Sequence, residues 1–254
     1  YISWYYYMKN NLSNIKKAIK YLNKNECVGI PTETVYGLAA NAYSSIATAK
    51  IFKLKKRPKK NPLIVHYFDL KMLEKDCKIN DIFLRLYKEY SPGPISYILK
   101  IKKKSLISKN VTNNKNTLAV RFPSHKLTRN LLKQLNYPLA APSANPFGYI
   151  SPTSAMHVNN QLGDKIEYVL DGKVSKVGIE STIVGFEEEK AIVYRLGGLD
   201  VNAIEAVIGE VEIMPYSSSS PAAPGMLKSH YAPKKTIHLG DVDDLIRKYK
   251  DEIE

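Results

Sequence analysis

Two short stretches carry the side chains best suited to chemistry on a phosphate chain. The first, Lys50 to His66 (KIFKLKKRPKKNPLIVH), sets seven Lys or Arg between Lys50 and Lys60 and closes on Pro58 and Pro62. Lys55 and Arg57 leave the last turn of a helix where Pro58 ends it, which offers a flexible ammonium and a planar guanidinium side by side. The second, Leu139 to Asn145 (LAAPSAN), is built of small residues that let a backbone approach closely, and Ser143 and Asn145 add a hydroxyl and an amide. If the two loops meet, Lys55 and Arg57 with Asn61, set against Ser143 and Asn145, supply cations, a hydroxyl and two amides to one anionic ligand. From spacing alone a solvated lysine face is the simpler reading of the run.

Other candidates stay open at the level of residue type. His66 lies in an apolar strand, where a satisfied core histidine is commoner than a ligand, and Arg121 sits near the end of the strand TLAVRF, as a rim residue or a ligand clamp. The motifs GxxxxGK[ST], GxGxxG, HExxH and GxSxG are missing, and no Ser/His/Asp or Cys/His arrangement declares a nucleophile. Phosphate binding therefore has to rest on side-chain cations.

The chain is long enough, at 254 residues, for one α/β domain of about 200 residues with an appendage. With 38 Lys+Arg against 24 Asp+Glu the net charge is +14, which favours anionic partners such as nucleotide, RNA or acidic protein. Cys27 and Cys77 form no CxxC pair and no Cys/His ligand spacing, so structural zinc and a disulfide framework are disfavoured, no metal ligand is assigned, and a cytoplasmic location is expected. No apolar run approaches the roughly 18 to 20 residues of a membrane span, so no membrane partner is expected. The opening YISWYYYM is too short for a signal peptide, and the seven residues before Met8 read as a fragment edge or an over-extended reading frame.

The elements that must position these groups follow from periodicity. Residues 11–25 predict an amphipathic helix with Ser13 as N-cap. Cys27 to Ile30 predicts a strand breaking at Pro31 into a Thr/Glu/Thr loop that hinges at Gly37, presenting small hydroxyls at a strand end. A helix capped by Ser44 or Ser45 runs to about Lys56, and Pro62 to Tyr67 is a buried strand. Residues 69–90 read as helical, 91–96 as a turn, and Tyr97 to Ile101 and Thr117 to Phe122 as strands flanking a polar loop at 110–116. His125 to Leu135 is a helix, Ser151 caps another through about Leu162, residues 166–196 give three short strands, and Asp200 to Ile208 is a helix. The fold class expected is α/β, a twisted mixed β-sheet with flanking helices over residues 10–212. Residues 213–235, which include SSSSPAAPG, read as a linker.

Seven ordered blocks go further than spacing: PTETVYGLAANA from Pro31, KLKKRPKKNPLIVH from Lys53, RFP from Arg121, APSAN from Ala141, GIESTIV from Gly178, YRLGG from Tyr194 and PGMLKSHYAP from Pro224. Together they closely resemble the Sua5/YrdC family, Sua5 type, over about residues 20–235. The resemblance implies a YrdC-like domain, a linker that acts as a lid, and at 236–254 the start of a Rossmann-like domain that this chain carries only in truncated form. The activity it implies joins ATP, bicarbonate and L-threonine into threonylcarbamoyl-AMP and pyrophosphate, with Mg2+ accompanying ATP. That product goes to a downstream tRNA threonylcarbamoyl transferase for N6-threonylcarbamoyladenosine at position 37. Lys55, Arg57, Ser143 and Asn145 then match a basic and polar tetrad around the triphosphate, and Asn61, Thr117, Ser151, Arg195 and Tyr231 match further ATP contacts. Thr34, His66, Arg121, Ala141 and Ser181 match a threonine pocket, with Arg121 on the substrate carboxylate. The rival readings are a tRNA- or double-stranded-RNA-binding module without catalysis, and a carbamoyl-transfer domain.

Overall fold

Alternating apolar and polar residues along short runs dictate a sheet with two different faces. A computed structural model describes residues 2–187, 190–214 and 238–250, with side chains from Leu12 onward. Its strands are β1 (Val28–Ile30), β2 (Gly37–Asn41), β3 (Ile64–His66), β4 (Ile95–Lys100), β5 (Thr117–Arg121), β6 (Leu139–Ala140), β7 (Tyr168–Val169), β8 (Thr182–Glu187), β9 (Lys190–Arg195) and β10 (Glu212–Ile213). They form one mixed, twisted sheet in the order β10-β9-β8-β4-β5-β3-β6-β2-β1-β7. At its centre β3 and β5 run parallel, with His66 opposite Arg121, while β4 is antiparallel to β5 and puts Ser96 opposite Arg121.

One face is buried under helices. Val65, Leu118, Val120, Tyr97, Leu99, Val184 and Val193 join the main core, against α2 (Ser45–Lys55), α4 (Asp81–Tyr90), α5 (Lys109–Thr112) and α8 (Val201–Ile208). A second apolar cluster packs α1 (Ile2–Asn23) and α6 (Lys126–Lys133) over β1 and β2 through Ile15, Leu22, Leu131 and Leu132. The residues in between point the other way: Ile64, Ile98, Ala119, Ile183, Ile192 and Tyr194 make a smaller apolar patch on the opposite face. One step of two residues beyond that patch lie His66, Ser96, Arg121 and Ser181. The period of the strands therefore continues an apolar floor into a polar end, where the candidate groups collect.

Several local expectations hold. Ser44 caps α2 by accepting from the Ala47 N–H, and Lys56 ends the helix in the left-handed region (φ 52°), two residues before Pro58. Asp200 caps α8. Others are corrected. Ser13 is no cap, because α1 begins at Ile2 and runs through it. The 69–90 stretch splits into α3 (Leu70–Leu73) and α4, since Asn80 caps a new helix with its side chain on the Phe83 N–H. The polar loop at 110–116 begins inside the single turn of α5, which Ser108 caps.

The most informative correction concerns Ser151. The helix α7 (Ala155–Leu162) is capped by Ser154, whose side chain accepts from the His157 N–H at 3.2 Å. Residues before it stay extended because the Pro152 carbonyl accepts from the Tyr36 N–H at 2.8 Å. Ser151 is thereby freed to donate its hydroxyl to Glu180 Oε1. Ser154→Ala is expected to lower unfolding free energy by about 1 kcal/mol, as cap removal does, while Ser151→Ala stays within about 0.5 kcal/mol. Denaturant unfolding of the two variants checks this, and equal losses would contradict the reassigned cap.

Candidate functional site

The floor of the site is the polar end of the sheet face, and its walls are the two loops that the sequence singled out. A cleft is lined by Thr32, Val35, Tyr36 and Gly37 from the β1–β2 loop, Arg57 after α2, Ile64 and His66 on β3, and Arg121 at the end of β5. Ala141, Pro142 and Ser143 after β6, Glu180 and Ser181 before β8, and Arg195 at the end of β9 complete it. Gly37 matters for the close approach of the walls: a Cβ there would meet the Ala141 Cβ at 3.2 Å, and Gly37 bridges to Ser143.

Lys55 does not point into the cleft but stands behind it. Its ammonium is buried and donates to the Ser143 carbonyl at 2.6 Å, to the Asn145 carbonyl, and to Asn145 Oδ1 at 3.3 Å. Burial and the neighbouring Arg57 push its pKa well below the ordinary lysine range, and Glu180 opposes them. Three acceptors around one nitrogen need three N–H groups, so the geometry holds the charged form. Asn145 in turn donates Nδ2 to the Tyr149 carbonyl at 2.6 Å.

Arg57 lies across the mouth of this arrangement. Its Nε donates to the Asn61 carbonyl at 3.2 Å and its Nη2 to the Pro62 carbonyl at 2.9 Å, and Phe147 stacks 5.8 Å from it. Asn61 is fully buried beside it, and neither polar atom of its side-chain amide has a partner. On the far wall the Arg195 guanidinium donates from Nε and Nη2 to the Ser181 carbonyl and from Nη2 to Ser181 Oγ at 3.2 Å, while Ser181 Oγ sits 2.7 Å from Ser96 Oγ.

On β5, across the ladder from Ser96, Arg121 is buried, with Nη2 donating to Glu33 Oε1 at 2.7 Å and Nε left without a partner. Glu33 Oε2 accepts from the Ser124 N–H at 3.0 Å. Burial alone would raise the Glu33 carboxyl, but the Arg121 guanidinium and the Ser124 N–H outweigh it and hold the pKa below the ordinary carboxylate value. His66 next to it is buried with Nδ1 unpartnered. Burial and then the Arg121 charge push its pKa down to about 3, against the pull of Glu33. The imidazole is therefore neutral at physiological pH.

The structure thus brings Arg57, His66, Arg121, Ala141, Ser143, Ser181 and Arg195 together around one cleft. Thr34 is buried just beneath it, 2.8 Å from the cleft-lining Thr32 through their hydroxyls. Lys55, Asn61 and Asn145 form the layer behind, and Ser151 reaches the cleft through Glu180. Thr117 lies apart, at the other end of β5 from Arg121, about 13 Å away along the strand. Tyr231 lies outside the described residues. Glu33 and Glu180 are the site carboxylates that spacing did not single out: both stood inside quoted motifs, but only their distant partners, Arg121 and Ser151, reveal their places.

Because His66 is held neutral with a depressed pKa, the folded state binds fewer protons than the unfolded state between the two pKa values. Its contribution to stability is present above the unfolded value near 6.5 and is lost as pH falls toward 3. Relative to His66→Gln, the wild type should lose about 2 kcal/mol of unfolding free energy between pH 7 and pH 5. Denaturant titrations at the two pH values check this, and parallel losses would contradict a buried neutral imidazole.

The model of the Sua5/YciO/YrdC family, described as telomere recombination, matches residues 20–197, and that of the threonylcarbamoyl-AMP synthase C-terminal domain matches residues 199–253. Threonylcarbamoyl-AMP synthase of Pyrococcus abyssi is 38% identical over 252 residues, covering 94% of this chain and 74% of the relative. The Bacillus subtilis protein of that name is 37% identical, covering 96% and 72%. A crystal structure of P. abyssi Sua5 complexed with L-threonine superposes with a TM-score of 0.88 at 38% identity, covering 94% of this chain and 74% of that one. On the ordered motifs, the fold and both matched models, the chain belongs to the Sua5/YciO/YrdC family, in its Sua5 type.

Proposed function

We propose that this chain is a nucleotidyltransferase that makes threonylcarbamoyl-AMP and pyrophosphate from ATP, bicarbonate and L-threonine, the first step of threonylcarbamoylation of adenosine 37 in tRNA. The observation that carries the reading is the polarity of the cleft. Arg57 and Arg195 line it as cations, with Glu180 the lining carboxylate, while Arg121 is paired with Glu33 and keeps an unpartnered Nε beside a neutral His66. A triphosphate suits the first pair of arginines and an amino-acid carboxylate the second group. The L-threonine complex of P. abyssi Sua5 supports the second assignment.

The chemistry follows from that placement. Bicarbonate gives CO2 and hydroxide, the threonine amine attacks the CO2 carbon, and the proton lost from nitrogen joins that hydroxide as water, leaving N-carboxythreonine. One oxygen of that carboxylate then attacks the α-phosphorus of ATP, and the bond to the bridging oxygen of pyrophosphate breaks in line. No enzyme nucleophile takes part, so the rate comes from positioning and from cations that meet the charge developing on the leaving pyrophosphate. Arg121 and Ser181 hold the amino acid, His66 Nδ1 accepts an N–H or O–H from it, and Ala141 leaves room for its backbone. Arg57, Ser143 and Arg195 face the phosphates. Mg2+ would enter with ATP as part of the substrate, and Glu180 is a carboxylate that lines the cleft. Among the described residues no helix is long and apolar enough to cross a membrane. The product leaves for a transferase that delivers the threonylcarbamoyl group to tRNA.

Pyrophosphate release from MgATP by the purified chain should require L-threonine and bicarbonate together. Arg57→Lys keeps a charge but loses both backbone contacts and should lower release by about 100-fold. Release that ignores threonine, or an Arg57→Lys variant at wild-type rate, would overturn the reading. Salt-sensitive RNA binding without turnover would favour an RNA-binding module instead.

A further inference from the structure

Glu33 has no role in the reaction as derived above, yet it is a buried carboxylate held on both oxygens. It lies in the β1–β2 loop, is 8% exposed, and both its oxygens are used, one on Arg121 Nη2 at 2.7 Å and the other on the Ser124 N–H at 3.0 Å. Its own backbone is clamped, since its carbonyl accepts from the Val177 N–H at 2.8 Å. Glu33 itself does not line the cleft, while its partner Arg121 does, with Nε buried and unpartnered.

We propose that Glu33 is a positioning and charge-selecting residue that fixes Arg121 and cancels its charge, so that this end of the cleft takes a zwitterionic α-amino acid and refuses inorganic anions. The inference rests on the threonine reading of that end. The geometry gives the reason. A guanidinium carries five N–H groups, and Glu33 takes one at Nη2, leaving Nε without a protein partner for a ligand carboxylate to meet. A free buried guanidinium would instead be a strong anion site, open to phosphate as readily as to a carboxylate. With Glu33 anionic and His66 neutral, the field at this end has no net sign, which an ammonium tolerates. Of the other charged groups that line the cleft, Arg57 and Arg195 are set against one carboxylate, Glu180, so positive charge is left for the triphosphate. The two ends thus sort their ligands by net charge and not by the presence of a carboxylate or phosphate alone.

The test uses the intact chain with L-threonine, ATP and inorganic phosphate as probes, followed by calorimetric binding and by pyrophosphate release. In the wild type, phosphate should compete with ATP and leave the threonine Kd unchanged. In Glu33→Gln, which keeps the shape and an acceptor for Ser124, the threonine KM should rise about tenfold with the ATP KM within twofold, and phosphate should become a competitor of threonine. Glu33→Asp should recover part of the discrimination. If Glu33→Gln changes both KM values equally, or lowers only kcat and melting temperature while phosphate still spares threonine, the residue is merely structural and the proposal fails. If the variant does not fold, the wild-type competition decides: phosphate displacing threonine there overturns the proposal. A wild type that binds no threonine would sink the functional reading itself, a result distinct from either.

Discussion

A buried ammonium holds the two walls of the cleft at a fixed distance. Lys55 ends α2, and its Nζ donates to the carbonyls of Ser143 and Asn145 on the loop after β6, while its own carbonyl accepts from the Phe147 N–H at 2.8 Å. Removing a cation from water is costly unless its protons are matched, and here acceptors surround it. Segments 88 to 90 residues apart in sequence are thereby locked together. Arg57, two residues on, and Ser143, on the tied loop, take their positions from this contact, and Phe147 then packs against the Arg57 guanidinium. Lys55, which the resemblance matched to a tetrad around the triphosphate, stands in the structure as the fastener between the two loops.

The second constraint is the pleat. Side chains on β3, β4, β5 and β8 alternate between the helix-covered core and the opposite face. A slip of one residue would turn His66 on β3, Arg121 on β5 or Ser96 on β4 from the cleft face into the helix-covered core. Hydrophobic burial of Val65, Val120, Tyr97 and Val184 thus fixes the register that aims the polar groups. The fold serves the site because the same period of two governs both.

Strands and most helices were legible because each is a local pattern: an apolar run with breakers, or a capping side chain followed by helical spacing. The convergence of Arg57 with Ser143 was conditional on two loops meeting, and nothing local could decide it. Ser151 was misread as a cap because Ser, Pro and a helical run satisfy the rule for a helix start, and so does Ser154 three residues later. Tertiary contacts chose between them, the Tyr36 N–H holding the Pro152 carbonyl and Glu180 taking the Ser151 hydroxyl. Glu33 was visible only as part of a hydroxyl-rich loop, because its meaning depends on an arginine 88 residues away. The seven motif blocks compensated for this, since order along a chain can identify a family without revealing which residues touch.

Buried polar atoms without partners mark where the protein is unfinished on its own. Among the described residues these are both ends of the Asn61 amide, His66 Nδ1, Arg121 Nε, His125 Nδ1 and Gln161 Oε1. The first four belong to side chains of the site, and each such atom costs about 1 to 3 kcal/mol in the free protein. A fold selected for stability alone would satisfy them or replace them with apolar groups. Their persistence around one cleft means that the desolvation penalty is already met before a ligand arrives. An incoming amino acid or nucleotide that meets these groups gains hydrogen bonds that the described protein groups do not make among themselves, which is how a site without a nucleophile can bind and orient its reactants strongly enough to react.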